Sequence, residues 1–398
     1  MIRSLPLSQV AVGMYIVGFQ GNDQLGVKQQ GLIQNEQTLR LMEQLGVISV
    51  LVDTARSKIP LADEVEAAEE IENRLPVPNE TPVATTRKTG CSYSSELPKA
   101  QKLYKRTLQL HRNTIKSLKH GENINVAEVE KNAENFIDSV FRNPNAMSCV
   151  RLLKDKDDYL LEHAIGVTIL MVIFARHLGY DGQVLNQLCV GSLLHDIGKV
   201  RIPDHILHKP GRLNEAELVI MQSHALYSRE ILMNTPGLGK ISLIVAAQHH
   251  EKLDGSGYPF KLKGDQVSRF GRMIAICDIY DALTADRVYR DGMTAPQALK
   301  IINGLVPNEL DGELVREFIN CIGIYPVGSF VELTNGVIAR IEENNKNPLK
   351  PVVKFIYSIR LHAHVTMEIV DLSAYDNHHK IVRAVRPEEY RLQPKDYL

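Results

Sequence analysis

The sequence predicts a mainly α protein: an all-α helical bundle forms the core, with a small α+β module before it and a short β-rich extension after it. Three observations carry that prediction. Apolar residues recur at three- and four-residue spacing through most of residues 99–325, whereas both flanks carry short β-branched and aromatic runs interrupted by turn residues. At 398 residues the chain is too long for one ordinary core. Its 44% apolar and 23% charged residues belong to a chain that buries a core rather than to a disordered one.

The N-terminal module is placed at residues 1–74. "QVAVGMYIVGF" and "VISVLV" read as strands; between them "NEQTLRLMEQLG" puts Leu39, Met42 and Leu45 on one helical face and stops at Gly46. The acidic run "ADEVEAAEEIENR" reads as a trailing helix with a solvated face. Residues 75–98, rich in Pro, Thr and Ser and without periodicity, read as a linker.

From residue 99 the periodicity is helical. Val126, Val129, Ala133, Phe136 and Val140 share a face, and Asn125 with Glu128 resembles an N-cap with its reciprocal partner. Further helices are expected at 157–178 (closed by Gly179), 182–196, 214–233 (opened by Asn214 with Glu217), 238–250, 270–285 and 295–304. After Tyr325-Pro326 the texture turns to β. "SFVELTNGVIARIEE" holds two alternating runs joined by Asn335-Gly336, a strong hairpin signal, and "PVVKFIYS" and "HVTMEIVDL" read as further strands, so residues 326–398 form the β-rich extension.

A formal net charge of −1 argues against a global basic field that would hold polymeric nucleic acid or an anionic membrane. The longest apolar run, Ala164 to Ala175, is far short of the roughly 20 residues that span a bilayer, so it reads as a buried helix. The N-terminus lacks the pattern of a secretory signal, and the cytoplasm is the expected location. Five scattered cysteines with no C-x-x-C pair fit neither a disulfide framework nor a zinc ribbon.

Histidine is distributed unevenly, with eight of the 14 lying between His163 and His250. His163, His195, Asp196, His224, His249, His250 and Asp278 are the candidate metal ligands. An all-imidazole and carboxylate set suits iron, manganese, nickel or zinc in a hydrolytic site, and helical bundles build such centres from side chains on separate helices. Asp196, adjacent to His195, is the candidate bridge between two cations, an arrangement that supports in-line phosphoryl displacement. His205 and His208, in a loop, are not expected to be ligands, and His177 is expected to meet its helix dipole or solvent.

"LLHDIGK" followed at a distance by "HHEKLDGSGYP" closely resembles the HD-GYP subgroup of HD-domain phosphohydrolases, with "IPDHILHKPGRL" and "CDIYDALTADRVYR" as supporting blocks. The resemblance covers about residues 100–325 and implies an HD-domain-like bundle. Residues 1–54 resemble a module often found ahead of such domains. The implied activity is metal-dependent hydrolysis of cyclic di-GMP to pGpG and on to GMP, in bacterial second-messenger signalling. The implied cofactors are two divalent metal ions, iron or manganese first, with nickel, cobalt or zinc as alternatives. Carried over by motif, Asp196 and Lys199 are the catalytic pair; Lys199 sits near the scissile phosphate, Arg287 and Arg290 hold phosphate or guanine, and Tyr258 contacts substrate.

Glu251 is expected to orient a histidine, and Asp281 and Asp286 to act as hydrogen-bond scaffolding. Some three-metal members carry a glutamate four residues before the first histidine; this chain has Tyr159 there, which favours two metals. Ser228 stands where many relatives have glycine, and no functional weight is given to it. The alternative reading is an adaptor of weak or no activity that binds cyclic di-GMP, or a diguanylate cyclase (GGDEF protein) through the GYP loop. The oligomeric state is open, a dimer being one option.

Overall fold

Four antiparallel strands, β1 (Ile2–Pro6), β2 (Tyr15–Gln20), β3 (Gly31–Leu32) and β4 (Ser49–Asp53), and the helix α1 (Glu36–Gln44) form the N-terminal module in a computed structural model of the chain. The structure describes residues 2–7, 10–20, 31–44, 47, 49–53, 56–57, 90–152, 159–286, 291–374 and 378–397. The sheet order is β1-β4-β2-β3. Leu39 and Met42 of α1 pack on a small core of its own that includes Ile16, Val50 and Val52. Strand β1 was not anticipated, because its partner β4 is some 50 residues away (Ile2 pairs with Asp53) and its own sequence, IRSLP, has little β character. The expected stop at Gly46 and the acidic helix lie outside the described residues.

The helical domain comprises α2 (Tyr93–Lys119), α3 (Val126–Arg142), α4 (Pro144–Arg151), α5 (Tyr159–His177), α6 (Gly182–Leu194), a 3-10 turn at Ile197–Arg201, α7 (Asp204–Leu207), α8 (Glu215–Gln222), α9 (His224–Met233), α10 (Lys240–Gln248), α11 (Arg269–Thr284), α12 (Ala295–Gly304) and α13 (Gly312–Ile322). Helix α2 begins inside the stretch expected to be linker. Ser92 caps it, accepting the Ser95 N–H, and Pro98 sits early enough in the helix to be accommodated. At Asn214 the expected reciprocal cap forms: the Glu217 N–H donates to the Asn214 side chain at 2.9 Å, and the Asn214 N–H to the Glu217 carboxylate at 2.9 Å.

The single helix expected over 214–233 is two helices. Ser223 N–H takes the Ile220 carbonyl, three residues back, and its hydroxyl returns to Val219 C=O at 3.0 Å, so α8 closes and α9 starts at His224. The apolar periodicity runs through this break without a visible signal. The helix expected over 182–196 likewise ends at Leu194 and hands over to the 3-10 turn.

Helix α5 is buried on every side from Glu162 to Ala175, which is why it is apolar all round. By length and composition it could cross a membrane, but 78% of that apolar window is buried inside the protein. It packs against α6 and α11, and α6 packs in turn against α10.

The C-terminal strands β5 (Phe330–Leu333), β6 (Val337–Glu343), β7 (Val352–Ser358), β8 (Ala363–His364), β9 (Ile369–Asp371) and β10 (Ile381–Val385) form an antiparallel sheet in the order β10-β5-β6-β7-β8, with β9 also pairing β7. The Asn335-Gly336 hairpin forms as expected, with Gly336 at φ +78°. One face of this sheet joins the helical core through Val331, Leu333, Ala339, Ile341 and Val353. The other closes over Phe330, Ile338, Ile356, Val385 and Tyr397.

Candidate metal centre

His195, His224 and His249 each stand just past a helix end: after α6, one residue beyond Ser223 at the end of α8, and after α10. The last carbonyls of a helix have no partner within it. Each ring uses one: Nδ1–H donates to Ser192 C=O at 2.7 Å from His195, to Met221 C=O at 2.6 Å from His224 and to Ala246 C=O at 2.8 Å from His249. A carbonyl can only accept, so in all three rings Nδ1 carries the proton and Nε2 presents a lone pair. The break at Ser223 therefore has a use, since it frees Met221 C=O for His224.

All of these lone pairs converge on Asp196. Its Oδ1 lies 3.2 Å from His224 Nε2 and 3.8 Å from His249 Nε2, and its Oδ2 lies 3.4 Å from His195 Nε2 and 3.8 Å from His163 Nε2. His163 Nε2 is 2.9 Å from Asp278 Oδ1, and His250 Nδ1 is 3.5 Å from Asp278 Oδ2. All seven residues expected as ligands are thus in one place. Their ligand atoms form three sets, each within 4.8 Å: His163, His195 and Asp278; His224, His249 and His250; and, joining these two, His195, Asp196 and His249.

The donor set fits divalent cations on grounds internal to the structure. His224 Nε2 and His249 Nε2 face each other at 3.2 Å; both are acceptors, so a proton cannot join them while each ring keeps its carbonyl bond. His195 Nε2 and Asp196 Oδ1 are buried without a hydrogen-bond partner. A cation satisfies such atoms, and buried polar atoms otherwise pay a desolvation cost.

Ionisation agrees. Burial pushes the Asp196 carboxyl up, but Lys199 and the surrounding imidazoles outweigh it and hold the group well below the usual carboxylate range. Asp278 is likewise held low, burial being overcome by its hydrogen bond from His163. Burial pushes His195 and His249 down and His250 down to about 3. Ionised carboxylates and neutral imidazoles are the forms that bind metal. His163 is the exception: burial lowers it, but its hydrogen bonds to Asp278 and Asp281 prevail and raise it to about 9.

Around these donors lies a supporting shell. Asp281 Oδ2 accepts His163 Nδ1–H at 2.9 Å, while Asp281 Oδ1 takes the buried Arg151 guanidinium at 3.2 Å, which also reaches Thr284. Asp281 thereby has the scaffolding role expected for it; Arg151 gave no signal in the sequence. Lys199 Nζ sits 2.5 Å from Asp196 Oδ2 and is 22% exposed, so its charge is at the mouth of the site. Gly198 must be glycine: a Cβ there would fall 2.1 Å from His224 O and 2.3 Å from Ser228 N. Ser228 accepts the Gly198 N–H at 2.8 Å, so the serine that seemed incidental ties the HD turn to α9.

The GYP loop folds back over the imidazoles. Tyr258 N–H donates to His250 C=O at 3.1 Å, and its ring lies 4.6 Å from His250 and 6.2 Å from His224. The expected role of Glu251 is corrected. Its carboxylate touches no histidine; it accepts the Phe260 and Leu262 N–H groups at 2.7 and 3.0 Å and so fixes the far side of the loop, two backbone donors that the sequence could not reveal. Burial raises its pKa to about 7 against those hydrogen bonds. His177 is the last residue of α5 and is exposed, as expected, and its Nε2 also lies 3.0 Å from Glu317 Oε2. Arg287 and Arg290 lie outside the described residues.

One further residue escaped sequence reasoning. His111, on α2, is 3% exposed with its Nδ1 unpartnered. Burial, then the field of His195, lower its pKa to about 4 against the opposing pull of Asp196. A lone histidine on a long amphipathic helix carries no pattern that would single it out.

Two family models match the chain, and the N-terminal one runs past the small sheet module through α2 into α3. The HD domain family model matches residues 147–314, and a domain of unknown function (DUF3391) matches residues 2–129. The chain is 30% identical to the cyclic di-GMP phosphodiesterase PA4108 of Pseudomonas aeruginosa over 391 residues, 96% of this chain and 92% of that one. It is 35% identical to 3'3'-cGAMP-specific phosphodiesterase 3 of Vibrio cholerae over 176 residues, 44% of this chain and 38% of that one. Among solved structures, the HDG"Y"P protein Bd1817 of Bdellovibrio bacteriovorus aligns over 80% of this chain and 99% of its own, at 14% identity and a TM-score of 0.48. The fold is that of an HD-domain phosphohydrolase. Within that class the chain belongs to the HD-GYP family, and it is a phosphodiesterase.

Proposed function

We propose that this chain is a cytoplasmic two-metal phosphodiesterase that hydrolyses cyclic di-GMP to the linear dinucleotide pGpG, with GMP as the further product. The observation that carries the reading is the split of six donors into two groups about the single carboxylate of Asp196, whose Oδ2 faces one group and Oδ1 the other. The near full-length similarity to a relative named a cyclic di-GMP phosphodiesterase supports the substrate. His163, His195 and Asp278 would hold one cation and His224, His249 and His250 the other, with Asp196 shared; iron or manganese suits this set. When bound, the cations supply Lewis-acid chemistry, lowering the pKa of water at the site and neutralising charge on the phosphodiester.

The protein's own groups do the rest. The carbonyl bonds at Nδ1 fix three imidazoles before any substrate arrives, so no reorganisation is needed at the moment of reaction. Lys199 adds positive charge at the mouth of the site, where it meets the scissile phosphate. Tyr258 forms a wall over His250 that shields the centre from bulk water and contacts the substrate. Arg287 and Arg290 take the remaining phosphate or guanine. Tyr159 stacks on His163 with ring centroids 6.0 Å apart and offers no carboxylate for a third cation.

The test is incubation of the full chain, loaded with Mn²⁺ or Fe²⁺, with cyclic di-GMP and with 3'3'-cGAMP in parallel, the products being resolved by chromatography over time. Loss of cyclic di-GMP with pGpG appearing first is the expected result. No turnover of cyclic di-GMP overturns the substrate, and three tightly bound metals per chain overturn the two-metal reading.

A further inference from the structure

Helix α2, at 27 residues, is the longest of the described helices. Its buried residues, Leu97, Ala100, Tyr104, Leu110 and His111 among them, set one face against α3, α4 and α5. The opposite face is exposed and basic. Lys99, Lys102, Lys105 and Arg106 occupy its first half and Lys116 and Lys119 its end, with Gln109, Arg112 and Asn113 continuing the face between them. The helix carries one carboxylate, Glu96, and that one is turned inward, where it accepts from Arg142 at 2.7 Å and from Ser139 at 2.8 Å.

Exposed helix faces ordinarily mix both signs, because opposite charges three or four residues apart attract and like charges at that spacing repel. Helix α3 follows this rule, Lys131 meeting Glu134 at 3.1 Å. Helix α2 breaks it. Lys102, Lys105, Arg106 and Lys116 make no ion pair among the described residues, and Lys99 and Lys119 reach Glu96 and Asp204 only at 3.9 and 3.8 Å. The net charge of −1 conceals this line of cations. Beside it α3 exposes Glu128, Glu130 and Glu134, which gives the line an acidic flank.

We propose that the exposed face of α2 docks the protein on an anionic phospholipid surface, a peripheral contact that holds the enzyme at a membrane without spanning it. From Lys99 to Lys119 the cations cover about 30 Å of a straight rod, which meets a flat surface along its whole length. Most of them are lysines, compact point charges suited to a diffuse anionic layer, whereas bidentate phosphate recognition calls for arginine forks. The helix exposes no aromatic ring on which a base would stack, as single-stranded nucleic acid requires. None of the exposed large hydrophobic residues lies on α2, so the face also lacks the apolar centre of a protein interface. An anionic surface relieves the repulsion along α2 and repels the glutamates of α3, which fixes the side that faces the lipid.

The full chain is sedimented with vesicles of phosphatidylcholine alone and with about 30% phosphatidylserine, in about 50 mM and about 500 mM NaCl. Binding is expected to the anionic vesicles at the lower salt, with none to the neutral ones and a loss of on the order of tenfold or more at the higher salt. Each cation near such a surface multiplies binding roughly fivefold, so Lys102→Gln/Lys105→Gln/Arg106→Gln/Lys116→Gln should bind on the order of 100-fold more weakly. Lys300→Gln/Lys346→Gln/Lys350→Gln/Lys380→Gln removes the same charge from exposed positions elsewhere and should stay within about threefold of the unsubstituted chain. No binding to anionic vesicles, binding that salt leaves unchanged, or an equal loss in both variants overturns the proposal. So does retention of a duplex or single-stranded oligonucleotide at the lower salt, lost in the α2 variant, without vesicle binding. Should the α2 variant fail to fold by circular dichroism, Lys102→Gln/Arg106→Gln removes half the charge and should bind on the order of 20-fold more weakly; undiminished binding there overturns the proposal as well.

Discussion

The metal centre and the contact of Arg386 with Asp286 and Asp291 both gather charges from distant parts of the chain, but they are held in place by different means. At the centre, three imidazoles are aimed by carbonyls three residues earlier in the chain, at 2.6–2.8 Å, so each direction is set by its own helix end. At Arg386, the local partner is Glu388, 3.6 Å away, but the guanidinium also reaches Asp286, 100 residues away, from just beyond β10 of the six-stranded sheet. The first construction survives small movements of its neighbours. The second depends on the packing of one region upon another.

The sharpest way to break this contrast is at the shared carboxylate. His195→Ala with Asp196→Ala should abolish turnover, by on the order of 10³-fold or more, while circular dichroism shows the helical content intact. Collapse of the helices would mean the centre is a structural keystone and not an independently aimed set. Asp281→Asn keeps the shape but removes the charge that orients His163 and balances Arg151; metal affinity, measured by chelator competition, should fall about 10- to 100-fold.

His111 tests how far the field of the centre reaches. Its pKa falls from an ordinary 6.5 to about 4 in the folded protein, so the unfolded chain takes up the proton first. The stability tied to the neutral ring is complete above pH 6.5 and is lost as pH falls towards 4, by about 3 kcal/mol at most. His111→Gln should flatten that part of the acid-unfolding profile relative to the unsubstituted chain; an identical profile would show that the ring is not held neutral. The smallest effect is expected at the hairpin, where Gly336→Ala at φ +78° should cost about 1 kcal/mol in thermal unfolding and leave metal content unchanged.

Legibility in the sequence follows the same division. The candidate ligands could be read because residue types and placement mark them, and all seven side chains meet in the structure. The helices could be read wherever one face alternates with a cap, as at Asn214 and Glu217. The break at Ser223 could not, because apolar periodicity continues across it and the reason for it is a ring that needs a carbonyl. Arg151, His111 and Arg386 were equally silent, since a lone residue acquires its role only from partners that folding brings to it. Glu251 was misjudged for the same reason: its adjacency to His250 suggested a histidine partner, whereas the loop that returns ten residues later supplies two N–H donors.

The sheet that buries Val331, Leu333, Ala339, Ile341 and Val353 against the helices also defines what may be cut away. A truncated form ending near Pro326 would uncover a broad oily wall on the helices, a surface prone to self-association. Efforts to produce a minimal enzyme from this chain should keep the tail and look for economy at the other end, where the first module keeps its own small interior.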